Sequence, residues 1–239
     1  TKGTHMSNIS TEHKEKLQQL LYSDDFETVI QGLELLDTLI EEAQDIYDVF
    51  DVKGNVSLDE YELENAVSEC KHSTYITIWM LGKLAEYNVD WVCNLTELDL
   101  DYNKLTTLPD SIGNLTNLTK LVLSWNQLTT LPESIGNLTN ITELDLNRNQ
   151  LTTLPESIGN LTNLTELNLI YNRLYSLPES IENLTNLTRL DLRDNQLTYL
   201  PESIKNLTNL TSLSLSNNQL TTLPESIGNL INLTTLHLR

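Results

Sequence analysis

Apolar and polar positions along this chain follow two different periods, and the change falls near residue 94. From Leu95 onward an aliphatic residue returns every 23 positions, at Leu95, Leu118, Ile141, Leu164, Leu187, Leu210 and Leu233, without an insertion. Six complete periods and a fragment result, each reading LxxLxLxxNxLxxLPxxIxxLxx. In the first copy the fixed positions are Leu95, Leu98, Leu100, Asn103, Leu105, Leu108, Pro109, Ile112 and Leu115. The LxL element alternates with period two, which predicts a short strand with Leu98 and Leu100 turned inward and Asp99 outward. Stacked copies predict a parallel sheet and one continuous core.

The polar and proline positions carry the rest of the coil. Asn103, Asn126, Asn149, Asn172, Asn195 and Asn218 recur where the chain leaves the strand, and they are expected to form a ladder that satisfies buried backbone groups. All six prolines, Pro109, Pro132, Pro155, Pro178, Pro201 and Pro224, occupy one slot. There they fix φ and forbid a second ladder strand, so the stretch after each is expected to be short helical or 3₁₀. A single coil cannot offset its ordering entropy, whereas a stack buries seven apolar positions per coil against the next.

Residues 7–93 lack this repeat. Leu17, Leu20 and Leu21, then Phe26, Val29, Ile30, Leu33, Leu36 and Ile40, follow helical spacing, with Ser23 or Asp24 expected to cap the second helix. Ser57-Leu-Asp-Glu60 has the form of a capping box, and a further apolar segment spans roughly 74–87. About four helices are expected, closing on a Val89–Asn94 stretch that leads into the first coil, and a helical cap at one end of the stack is what solubility requires.

The pattern resembles the 23-residue LPxxI class of leucine-rich repeats, found in Ras-suppressor-like, Roco-like and bacterial, notably cyanobacterial, proteins. The likeness covers residues 95–239 and implies an α/β solenoid. Its expected form is a right-handed leucine-rich repeat horseshoe with a parallel concave sheet, preceded here by an all-α N-terminal capping domain. It also implies protein–protein interaction through the concave face, although a fold of this kind does not fix a function.

Because the scaffold positions barely change between copies, the informative residues are those that do change on the outward face. One column runs Tyr102, Trp125, Arg148, Tyr171 through four successive coils, with Val122 and Ile170 beside it and Asp99, Asp101, Asp145, Arg189 and Arg193 as charged flanks. Tryptophan, tyrosine and arginine are the types enriched at binding hot spots. Two readings stand side by side: a partner footprint on Tyr102, Val122, Trp125, Asp145, Arg148, Ile170, Tyr171, Arg189 and Arg193, or a self-satisfied stack with Arg148 between Trp125 and Tyr171. Tyr175 and Tyr199 replace threonines on another edge and are read as variation.

Charge narrows the partner class. The 34 acidic and 14 basic residues leave −20, a field that repels nucleic acid and anionic lipid surfaces. Six basic against nineteen acidic residues give −13 over residues 1–93, and eight against fifteen give −7 over 94–239. No apolar run approaches a membrane span and no signal-peptide pattern opens the chain, so a cytoplasmic, bacterial protein is expected. The two cysteines, Cys70 and Cys93, form no metal or disulfide framework. His5, His13, His72 and His237 are scattered, and no hydrolase, nucleotide-binding or zinc motif occurs, so neither an enzyme nor a cofactor is expected.

Three expectations remain at the margins. Thr1–Met6 reads as an expression scar, which gives domains of 7–93 and 94–239. The final coil lacks a polar cap after Leu233, which leads to the expectation of a longer native chain, with these repeats as a regulatory or scaffold segment beside a GTPase or other catalytic domain. The segment Phe50–Leu63 resembles a calcium-binding EF-hand loop at Asp51, Asn55, Ser57, Asp59 and Glu62. It departs from it at Lys53 and Val56 and has no paired second loop, so a calcium-responsive N-terminal domain is the lesser alternative.

Overall fold

A computed structural model describes residues 9–40 and 73–238, and the chain divides into two compact units at the Cys93–Asn94 bond. The first unit holds helices α1 (Thr11–Leu21), α2 (Phe26–Leu39), α3 (Ser73–Glu86) and the short α4 (Asp90–Cys93). Leu17 and Leu21 of α1 and Val29, Leu33 and Leu36 of α2 are buried, as their spacing predicts. The two helices approach closely at Gly32, where a Cβ would come within 2.9 Å of Leu20 Cβ. The cap of α2 is Asp25 rather than Ser23 or Asp24: its carboxylate accepts the Thr28 N–H at 3.0 Å, and Ser23 Oγ instead accepts the Asp25 N–H.

Helix α3 is buried from Ile76 through Gly82, consistent with its nearly uninterrupted apolar sequence. Tyr75 meets Phe26 of α2 edge-on at 5.0 Å. Lys83 bridges Asp37 and Glu86, and although partial burial lowers its pKa, the hydrogen bonds to those carboxylates outweigh that and raise it. The capping-box pattern at 57–60 and the EF-hand-like segment at 50–63 lie outside the described residues.

The second unit is a solenoid. Strands β1 (Glu97–Asp99), β2 (Lys120–Val122), β3 (Glu143–Asp145), β4 (Glu166–Asn168), β5 (Arg189–Asp191), β6 (Ser212–Ser214) and β7 (Thr235–His237) form one parallel sheet in chain order. Every pairing joins residues 23 apart, as in Leu98↔Leu121↔Leu144, because no coil carries an insertion. The central leucine of each of the first six strands is buried and its neighbours face outward. After each proline, held at φ between −62° and −70°, a five-residue 3₁₀ turn begins, Asp110–Asn114 in the first coil and Glu133–Asn137 in the second. Leucine-rich repeats with a parallel sheet, and a helical N-terminal region before them, are thus the architecture of this chain.

Three polar ladders stitch the coils together. Asn149 represents the expected one: its Nδ2 donates to Leu123 O and Leu146 O at 2.8 and 3.1 Å, and its Oδ1 accepts the Leu128 N–H at 3.0 Å. Asn126, Asn172, Asn195 and Asn218 repeat the arrangement. Asn103 differs in being exposed, with its amide donating to Asp101 O.

The other two ladders run through the LTNLT segment. Asn140, Asn163, Asn186, Asn209 and Asn232 donate to the carbonyls of Thr116, Thr139, Thr162, Thr185 and Thr208. Thr119 through Thr234 each donate Oγ1 to the threonine carbonyl 23 residues earlier, at 3.0 Å. The N-x-Thr sequons of the repeat therefore have a structural use, since they hold neighbouring coils in register.

Candidate functional site

The residues that vary between coils occupy two adjoining places on the outward side of the sheet. The first is a row in strand register, Asp99↔Val122↔Asp145↔Asn168↔Asp191, with a parallel row Glu97↔Lys120↔Glu143↔Glu166↔Arg189. The second lies three residues further along each coil, in the turn that follows the strand. Tyr102, Trp125, Arg148 and Tyr171 sit there and not in the strands, and all four adopt φ of 54°. Asp194 and Asn217 continue the same position at 55° and 58°.

That backbone conformation is imposed by the stack. The N–H groups of Tyr102, Trp125, Arg148 and Tyr171 donate to the next coil at Ser124 O, Asn147 O, Ile170 O and Arg193 O, so the left-handed turn is fixed at its hydrogen bonds. Asparagine and aspartate tolerate such a turn, as at Asp194 and Asn217, whereas a bulky side chain there costs about 1–2 kcal/mol.

The side chains of the four form one column. Tyr102 stacks on Trp125 with ring centroids 4.9 Å apart and 16° between planes. The Arg148 guanidinium lies over Trp125 at 4.1 Å and over Tyr171 at 4.3 Å. The rings nevertheless remain open to solvent, with Tyr102 61%, Trp125 43% and Tyr171 47% exposed. The internal stack and an accessible surface therefore coexist, since Arg148 covers one side of each flanking ring.

Beside the column, an open groove of about 360 Å³ runs over β2–β5, with Val122, Asp145, Asn168, Ile170, Arg189 and Arg193 among its walls. All nine residues singled out in the sequence thus fall on the column or in the groove. Several charges in it are already matched. Lys120 pairs with Glu143 at 2.8 Å, Arg189 lies 3.6 Å from Glu166, and Arg193 grips Asp191 through Nε and Nη2 at 2.9 and 2.7 Å. Hydrogen bonding to Glu143 raises the Lys120 pKa, and bonding to Asp191 raises that of Arg193.

Asp145 is different. Burial in the groove pushes its carboxyl above the usual range, against the opposing effect of hydrogen bonds from the Asn147 backbone and the Asn168 side chain. Among the described residues no ion pair reaches Asp145, Glu97, Asp99 or Asp101. Asn147 Oδ1, in the same coil as Asp145, is buried without a donor. These features were not read from the sequence. The ion pairs were nevertheless foreseeable, because Lys120–Glu143 and Glu166–Arg189 are opposite charges one repeat apart.

Among the described residues no helix is long and apolar enough to cross a membrane, and no cluster of His, Cys, Asp or Glu is arranged to hold a metal ion. Cys93 is half-buried, with its Sγ 3.8 Å from Ala85 O.

Two family models match the sequence: one described as a leucine-rich repeat region over residues 66–191, and one described as a leucine rich repeat over 186–239. No curated protein matches significantly. Of the solved structures, 374 chains match, so likeness to the fold selects no particular partner. One is a leucine-rich repeat protein of Leptospira interrogans, 32% identical with TM-score 0.54 over 91% of this chain and 58% of that one. Another is the leucine-rich repeat ectodomain of the membrane receptor kinase GASSHO1/SCHENGEN3 of Arabidopsis thaliana, solved in complex with CASPARIAN STRIP INTEGRITY FACTOR 2. It is 36% identical with TM-score 0.58, over 67% of this chain and 22% of that one. This chain therefore spans less than two thirds of either neighbour's length.

Proposed function

The chain belongs to the leucine-rich repeat family, and on that footing we propose that the concave, outward face of its sheet docks a protein partner, with the Tyr102–Trp125–Arg148–Tyr171 column as the anchor. Leucine-rich repeat domains mediate protein–protein interaction and the family is typically non-catalytic. The receptor ectodomain among its structural neighbours was solved in complex with another factor.

The observation that carries the reading is the choice of residue at the left-handed turn. The coil needs φ near +54° at that position whatever side chain is there, and Asp194 and Asn217 supply it at low cost. Placing tyrosine, tryptophan and arginine in four consecutive coils costs about 1–2 kcal/mol at each, and the three stacking and cation–π contacts, at about 0.5–1.5 kcal/mol apiece, offset only part of that cost. The 43–61% of each ring that stays exposed contributes no burial to the solenoid. A partner that covers them recovers the buried aromatic area, the usual composition of a hot spot.

The column also sits next to a groove with apolar walls at Val122 and Ile170, so the surface offers an anchor and a recess together. With the partner in hand, Trp125→Ala is expected to weaken the complex by about 2 kcal/mol, roughly thirtyfold, measured by titration calorimetry. Unchanged affinity would remove Trp125 from the interface and with it this reading.

A further inference from the structure

We infer the chemistry of that partner from the charges the sheet leaves unmatched: it is an extended protein segment carrying arginine or lysine, laid across β1–β3, and this inference rests on the sheet-face reading. Lys120, Arg189 and Arg193 are each held by a carboxylate of the face itself, Glu143, Glu166 and Asp191. What remains on the sheet face of the first three coils, among the described residues, is Glu97, Asp99, Asp101 and Asp145, four carboxylates that close no ion pair, although Lys120 lies near enough to Glu97 and Asp145 to feel both. Two of them already accept backbone N–H groups, Asp99 from Asp101 and Asp145 from Asn147, so they are fixed in direction. Such a surface is rich in acceptors and calls for donors, which arginine and lysine supply without any acceptor of their own.

The aromatic column points the same way. Its own Arg148 lies flat between Trp125 and Tyr171, a built-in demonstration that rings at this spacing receive a guanidinium. Tyr102, one coil earlier, stacks on Trp125 and is itself 61% exposed, and it stands next to Asp101 and close to Asp99 in sequence. An incoming arginine or lysine there meets an exposed ring and two carboxylates at once, the combination that strengthens a cation–π contact.

A second basic side chain falls over Asp145. Asp99 and Asp145 share a register row two strands apart, a span of about 9.6 Å at about 4.8 Å per strand. Basic residues two or three positions apart in an extended segment, at about 3.3 Å per residue, cover that distance with side-chain reach to spare. The burial that raises the Asp145 pKa is the setting in which a paired cation is least screened.

The test uses a fluorescein-labelled peptide of alternating arginine and serine, with counterparts in which glutamine or glutamate replaces each arginine. Binding to the full chain is followed by polarisation at about 50 and 300 mM salt. Three variants accompany the wild type: Asp99→Asn with Asp145→Asn, Tyr102→Ala, and Glu179→Gln with Glu202→Gln, which removes the same charge from the 3₁₀ turns and not from the sheet. Circular dichroism establishes that each variant is folded.

The inference expects the arginine peptide to bind and the glutamine and glutamate peptides not to. It expects loss of about tenfold in the sheet double variant, about fivefold in Tyr102→Ala, and less than twofold in the 3₁₀ control. Equal loss in both double variants, equal binding of the glutamine peptide, or no arginine-peptide binding tighter than about 1 mM would overturn it. If a natural partner is lost on Trp125→Ala yet is indifferent to salt and to the aspartate changes, the docking face stands and the basic partner does not.

Discussion

Replacing Asn149 by alanine removes one rung of the ladder at the middle of the stack, and the structure sets the size of the loss. Leu123 O and Leu146 O each keep a second asparagine donor, Asn126 at 3.0 Å and Asn172 at 2.9 Å, so neither carbonyl is stranded. The Leu128 N–H is stranded, because Asn149 Oδ1 is its acceptor at 3.0 Å. One buried amide without an acceptor costs about 1–3 kcal/mol, and the lost carbonyl bonds and the small void add about 1 more, for an expected total of about 2–4 kcal/mol. Urea unfolding followed by far-ultraviolet circular dichroism would show a midpoint lowered by roughly 1 M. Asn103→Ala is the internal control: the side chain is exposed and its amide donates to Asp101 O within its own turn, so the expected loss is under about 1 kcal/mol. Asn149→Ala within about 0.5 kcal/mol of wild type, or equal losses at the two positions, would refute the ladder reasoning.

Two further outcomes follow from the site. Trp125→Asn places a side chain suited to φ 54° at the turn, so urea midpoints should show stability within about 1 kcal/mol of wild type while partner binding is lost. Asp145→Asn should stabilise the solenoid near neutral pH, because burial raises the folded pKa above the ordinary aspartate value of 3.8 and the ionised form is the one the groove disfavours. That penalty on the ionised carboxylate exists only where it is ionised. The advantage of asparagine in thermal melts should therefore shrink as pH falls through the folded pKa and vanish below 3.8; an advantage independent of pH would contradict it.

Much of the solenoid was legible because its physics is periodic. An uninterrupted 23-residue spacing fixes the strand register, the LxL alternation fixes which face is buried, and the proline slot fixes where the 3₁₀ turn begins. The turn column was harder to place. Alternation with period two carries Asp99 and Asp101 outward, but it gives no warning that the chain turns left-handed at Tyr102, since that conformation depends on a hydrogen bond to Ser124 in the next coil. Asn103 holds the ladder position of the repeat yet is exposed, a difference the repeat alone does not mark.

The threonine and second asparagine ladders are visible in the sequence as residues retained from copy to copy, as at Thr119 and Asn140, but the string does not say which carbonyl each one reaches. What no repeat comparison supplies is burial: nothing in the string ELDL distinguishes the half-buried Asp145 from the exposed Asp99. The neighbours that differ, Val122 and Asn168 against Asp145, are one coil away in space and 23 residues away in sequence.

The most direct measurement is a quantitative capture from source lysate on three immobilised forms of the full chain: wild type, Trp125→Ala with Tyr171→Ala, and Tyr175→Ala with Tyr199→Ala. The last pair are exposed tyrosines outside the column, 51% and 54% accessible, and control for loss of surface aromatics in general. The docking face predicts a protein retained by wild type and by the Tyr175/Tyr199 variant and depleted at least about tenfold by the Trp125/Tyr171 variant. Identical capture by all three, or equal depletion by both double variants, would contradict it.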